Sequence, residues 1–245
     1  MVPPSCRSVP HLLGQLYALT SRALHQLSSP EEFVMSHSVF ASVPSIAPRR
    51  PLRVAVELTG AGHHPAAARI AGNVPLTGPD YWVDLTVGPD ILDLAARPAV
   101  VQRIQAADLR DAQQARERIR TEVAAEGRDP DSVTVLVDIE VLIAPDSRSA
   151  RTELALLDET LGVPHQSSSL TYVGTAEGLG SLLADIRAAD VADGVTLLPL
   201  ALPKVLERIV DGTMPWLERR GLAIASDAVD EALSRFGRIR PARAS

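Results

Sequence analysis

The stretch SVTVLVDIEVLI, Ser132–Ile143, constrains the fold of this chain more than any other. Apolar side chains fill nearly every position, so an extended segment here buries both of its faces, as strands of parallel sheets do. Two shorter runs share the character. LRVAVEL (Leu52–Leu58) holds a strand from Arg53 to Leu58, bounded by Pro51 and Gly60, and VTLLPL spans Val195–Leu200. Helical patterns separate these runs. Asp108–Glu126 is rich in Ala, Gln, Arg and Glu, stops at Gly127, and sets Leu109, Ala112, Ala115, Ile119 and Val123 along one side. Ser147–Leu161 ends at Gly162 and Pro164. Thr175 caps a third helix, with Leu179, Leu182, Leu183 and Ile186 on one face. Pro203–Val210 is a fourth, Pro215 restarts a further turn, and Ser226 caps a last helix reaching Phe236. Strand alternating with helix predicts an α/β fold of parallel βαβ units.

Weaker segments read differently. PDYWVDL (Pro79–Leu85) is expected to form a helical turn. Ile91–Ile104 is split by Pro98 into a short helix and a strand or second helix, and Val163–Gly174 is expected to be a polar loop. Residues 1–50, with prolines scattered throughout, form an N-terminal extension of low organisation; 51–236 form the α/β domain, and 237–245 a basic tail. Gln15, Thr20, Ser21 and Arg22 interrupt the early apolar stretch, a poor match to a secretory signal, and ordered pattern begins only after Met35, a candidate second start.

Composition narrows the classes. Aromatic residues are 3% of the chain against 46% apolar, so the core is aliphatic, which suits α/β layers. A net charge of −6 offers no general attraction to nucleic acid. No apolar run approaches the roughly 18 residues of a membrane span. Cys6 is the single cysteine, which excludes an internal disulfide and a cysteine-based metal cluster; no metal site and a reducing, cytoplasmic setting are expected.

The order of several motifs resembles the luciferase-like flavin-dependent monooxygenases, and within them the nitrilotriacetate and dibenzothiophene-sulfone monooxygenase branch. LRVAVELTGAGHHPAAAR is similar to that branch's first strand and Gly-His-His-Pro-Ala-Ala loop. DAQQARERIRTEVAAEGRDPDSVTVLVDIEVLIAPDSRSARTELALLDE is similar to its late helix, turn, strand and next helix, and MPWLERRGL (Met214–Leu222) to its closing signature. The resemblance implies a (β/α)8 TIM-type barrel with ligands at the carboxyl ends of the strands. The matched region, Leu52–Leu222, is shorter than the about 250 residues such a barrel takes, so an incomplete or truncated barrel is expected. The interval that falls away lies near Leu85–Asp90.

By the same resemblance the function is oxygenation of a small organic substrate with O2, using reduced FMN from a partner flavin reductase, or hydride chemistry with F420. The alternative is an internally deleted, non-catalytic remnant without cofactor, acting as a binding or oligomerising module. A homo-oligomer is expected, since a partial barrel leaves strand edges to cover. The resemblance makes His63 and His64 the catalytic candidates and Gly60, Gly62 and Gly88 the cofactor contacts. The residues of TGAGHHPAA admit two readings. One is a ligand loop in which at most one of two adjacent imidazoles faces the pocket. The other is a turn in which Gly60 and Gly62 supply positive φ and Pro65 starts a helix. Asp138 and Glu140 share a strand face, as an acid–base pair or, the stronger reading, a solvated or edge strand. His165 beside Ser167, Ser168 and Ser169 reads as a polar surface loop, Trp82 and Trp216 as packing residues, and Arg219-Arg220 as a helix end.

Overall fold

The computed structural model describes residues 51–87 and 100–237, and among them six strands form one mixed sheet. The elements run β1 (Arg53–Leu58), β2 (Tyr81–Asp84), β3 (Val101–Ile104), α1 (Leu109–Ala125), β4 (Thr134–Ile143), α2 (Ser147–Leu161), β5 (Leu170–Gly174), α3 (Ala176–Ala188), β6 (Gly194–Pro199), α4 (Lys204–Arg208), α5 (Met214–Arg219) and α6 (Ala228–Ser234). The extension 1–50, Gly88, the expected helix before Val101 and nearly all of the basic tail lie outside the described residues.

The sheet order is β2-β1-β6-β4-β3, and β5 also pairs with β4. The β1–β6, β6–β4, β4–β3 and β4–β5 pairs are parallel, and only β2 runs antiparallel, beside β1. First and last strands are therefore neighbours, as in a ring, yet the sheet is not closed. β4 is long enough to carry two partners on one edge: β3 along Thr134–Val137 and β5 along Ile139–Ile143. Between them the Ser169 hydroxyl donates to the Asp138 carbonyl at 2.8 Å.

Register sorts the side chains into two faces. Val54, Val56 and Leu58 of β1, Val135, Val137, Ile139 and Val141 of β4, and Val195 and Leu197 of β6 point to one side. All are fully buried, joined in one core to Ala112, Val123, Leu157, Leu179, Leu183, Ile186, Leu206 and Leu217 of the helices. Each such aliphatic side chain contributes about 1.5–3 kcal/mol of transfer free energy. The opposite face carries Arg53, Glu57, Trp82, Asp84, Arg103, Asp138, Glu140 and Thr196, with a small apolar patch of Ala55, Val101 and Leu136.

The helices start as their sequences direct. Asp108, Asp146 and Thr175 each accept a backbone N–H in the first turn, and Gly162 ends α2 at φ 88°. At the far end of the sheet Arg116 and Arg120 of α1 grip Asp193 at 3.0 and 2.9 Å, and Asp193 in turn accepts from the Val135 N–H, so α1 is tied to the starts of β4 and β6.

Five local expectations are corrected. PDYWVDL is not helical: Tyr81–Asp84 extends beside β1, where pairing outweighs the weak local signal. Leu170–Gly174, inside the expected loop, is β5, captured by the outer half of β4. Pro65 opens no helix; Ala67–Arg69 makes one 3-10 turn, and the Asn73 amide donates to the Ala67 carbonyl. The helix after Pro203 leaves α geometry at Ile209 for a π turn over Ile209–Thr213 and resumes as α5. Ser226 does not cap α6; its hydroxyl donates to the Asp84 carbonyl and fastens that segment to β2.

Candidate active site on the polar face

At the centre of the polar face Arg103 bridges two strands. Its Nε and Nη2 donate to the two oxygens of Asp138, both at 2.9 Å, and Nη1 pairs with Glu57. The guanidinium also lies 4.9 Å from the centre of the Trp82 ring. Arg53 pairs with Asp84 at 3.3 Å beside it. Burial pushes the Asp138 carboxyl above its ordinary value despite the two bonds from Arg103. Glu57 behaves oppositely: His63 and then Arg103 hold it down to about 2, against burial. Burial pulls Arg103 down, but Asp138 and Glu57 outweigh it and leave the guanidinium above its usual value. Each carboxylate of the patch thus has a guanidinium beside it, with Arg103 serving both Glu57 and Asp138, at the cost of much of its hydration.

The loop after β1 delivers the two histidines in different directions. Gly60 and Gly62 have φ of 43° and 127°, and a Cβ on Gly62 would overlap the Leu200 carbonyl, so glycine lets this loop lie against the chain leaving β6. His63 N–H donates to the Pro199 carbonyl at 2.8 Å and His64 N–H to the Leu200 carbonyl at 3.1 Å. The His63 ring stays beside the polar face, with Nδ1 3.2 Å from the Pro199 carbonyl and Nε2 3.9 Å from Glu57, longer than a hydrogen bond. The His64 side chain is fully buried. Its Nδ1 accepts from the Ala66 N–H, so the proton sits on Nε2, 3.2 Å from Asp158 of α2.

His165 completes the cluster. Its Nε2 is 2.8 Å from Glu140, its backbone N–H donates to Asp158 at 2.8 Å, and its ring centre is 4.9 Å from that of His64. Two expectations therefore change. Asp138 and Glu140, 2% and 7% exposed, stand on an interior strand rather than a solvated or edge strand, because β4 has partners on both sides. His165 is no free surface group, because the loop brings its ring onto Glu140 of β4. Trp216 packs on Gly180, and Arg220 stacks on Trp216 at 4.2 Å. Gly60 leaves open space where a Cβ would stand.

Three buried polar atoms of this region have no hydrogen-bond partner: Thr196 Oγ1, Trp82 Nε1 and His63 Nε2. Such atoms cost about 1–3 kcal/mol each when left unmet. No group of three or more His, Cys, Asp or Glu among the described residues can hold a metal ion. No described helix is long and apolar enough to cross a membrane.

Comparison with known proteins bears on this arrangement. The model of the luciferase-like monooxygenase family matches residues 44–206, well over half of the chain. Among solved structures, similarity extends to the riboflavin lyase RcaE, crystallised with modified FMN and riboflavin, at 17% identity over 53% of this chain and 41% of that one, with a TM-score of 0.46. DmoA from Hyphomicrobium sulfonivorans is similar at 16% identity, with 52% and 38% covered and a TM-score of 0.42. The EDTA monooxygenase EmoA from Chelativorans sp. BNC1 is similar at 17%, with 56% and 46% covered and a TM-score of 0.46. The chain spans less than half the length of each. No curated protein matches it in sequence.

Proposed function

The chain belongs to the luciferase-like monooxygenase family, and on that premise we propose that it is a flavin-dependent oxidoreductase that oxygenates a small organic substrate with O2, its flavin lying against the polar face of the sheet beside His63. Reduced FMN from a separate reductase is the first choice of cofactor and F420 the second. The observation that carries this reading is the set of unmet polar atoms. Trp82 Nε1–H is a donor, the Thr196 hydroxyl can donate or accept, and His63 Nε2 accepts, since Nδ1 donates to the Pro199 carbonyl. A flavin ring edge, with carbonyls alternating with ring nitrogens, asks for such a mixture.

In this reading Trp82, Thr196 and His63 hold and orient the ring. Gly60 leaves room for the loop to approach a ligand, and Gly62 keeps that loop seated on the end of β6. Arg103, fixed between Glu57 and Asp138, would give both carboxylates a counter-ion as the site sheds water. His64 acts through the loop it anchors. A bound reduced flavin supplies the electrons that activate O2, or, as F420, a hydride.

Titration with FMN, reduced FMN under anaerobic conditions and F420 tests the reading. Saturable fluorescence quenching is expected with one of them, weakened in Thr196→Val, Trp82→Phe and His63→Ala. Absence of binding to all three overturns it. The open sheet favours a second reading, a module that covers its edges by pairing with another copy and performs no chemistry. Light scattering coupled to size exclusion separates the two: a dimer that ignores every flavin supports the second.

A further inference from the structure

We propose that Glu140 and His165 form a proton-accepting dyad in the carboxyl-terminal half of β4, serving a ligand that carries a dissociable O–H, N–H or S–H group. The proposal does not rest on flavin binding. Glu140 Oε2 and His165 Nε2 are 2.8 Å apart, and the two side chains are 9% and 14% exposed. A carboxylate can only accept, so the ring proton sits on Nε2 and the lone pair on Nδ1. No described residue hydrogen-bonds that Nδ1. The pairing is the carboxylate–imidazole half of a hydrolytic triad, in which the acid fixes the tautomer and stabilises the imidazolium.

The support is built from three elements. Asp158 of α2 accepts the His165 backbone N–H at 2.8 Å and lies 3.2 Å from His64 Nε2. The buried His64 ring then packs against His165 at 4.9 Å with a 53° tilt. His64 and Asp158 are thus positioning residues for the dyad. Two neighbouring hydroxyls are committed elsewhere, Ser167 to the Ser169 carbonyl and Ser169 to that of Asp138, and Ser168 is exposed to solvent. The base therefore addresses a ligand. The ligand's X–H bond breaks, its proton forms the N–H bond at Nδ1, and the electron pair stays on X. The imidazolium, paired with Glu140, later returns its proton to water.

Two measurements on the full chain test this without any cofactor. Nitrogen-15 NMR is expected to show His165 protonated at Nε2 and bare at Nδ1. Diethyl pyrocarbonate with peptide mapping is expected to acylate His165 roughly tenfold faster than His64, whose nitrogens are both engaged, and Glu140→Gln, whose amide lets the tautomer invert, is expected to cut the His165 rate by about as much. A purely structural pair would keep the tautomer yet resist acylation. That result, a proton on Nδ1, or an unchanged rate in a folded Glu140→Gln variant overturns the proposal; should that variant not fold, the wild-type tautomer and the ratio of the His165 and His64 rates decide alone.

Discussion

On one side of β4, Val135, Val137, Ile139 and Val141 disappear beneath helices; on the other, Asp138 and Glu140 of the same strand sit among charges. The first side is held by volume and the second by matching of charge. Volume is forgiving of which aliphatic residue fills it, whereas an ion pair out of water fails when one partner is removed. Thr196, Trp82 and His63, each with a polar atom that lacks a partner, stand on or beside the second side.

Substitutions can break this contrast. Ile139→Ala opens a cavity in the helix-covered core and is expected to cost about 2–5 kcal/mol in urea unfolding, with flavin affinity changed little. Asp138→Ala is expected to cost less, about 1–3 kcal/mol, the penalty of unmet donors rather than of a stranded ion, because Arg103 keeps Glu57 and is itself partly exposed. A larger loss than in Ile139→Ala would reverse the ranking of the two faces. Thr196→Val is expected to stabilise the free protein by about 1 kcal/mol, since it deletes a buried hydroxyl without a partner, while weakening flavin binding. Simultaneous destabilisation and unchanged binding would remove Thr196 from the site.

The smallest effect concerns acid. Glu57 falls from 4.5 to about 2 on folding, so its contribution is complete above pH 4.5 and fades as pH drops through about 2. With the partial exposure of the pair, the effect is on the order of 1 kcal/mol or less. Asp138, raised by burial, pulls the opposite way. Unfolding of Glu57→Gln across this window is expected to show a shallower acid decline than the unaltered chain; an equal slope would place the dependence elsewhere.

How much of this was legible follows from the same contrast. β1, β4 and β6 stand out in the sequence because interior strands need apolar residues on both faces. β2, β3 and β5 do not: Tyr81–Asp84 is half-buried throughout, and only the ends of Val101–Ile104 are buried. Their pairing comes from neighbours distant in the chain. Alternation places Asp138 and Glu140 on one face, yet says nothing of what covers them. Arg103 lies 35 residues from Asp138 and His165 lies 25 from Glu140, so only the folded topology joins them. The sole local hint was a polar Gln102-Arg103 pair inside VQRI. The glycines of TGAGHHPAA marked the turn, and adjacency alone required the two imidazoles to diverge.

Because β3 and β5 follow one another along the same flank of β4, the ribbon forks at Asp138, and one serine hydroxyl caps the notch. A cylinder demands a single continuous neighbour at every step of its circumference. Here any further strand must choose a branch, following β3 and abandoning the upper half or following β5 and abandoning the lower. The fork therefore interrupts the path that a full cylinder follows, and it does so at Asp138, the carboxylate that Arg103 holds.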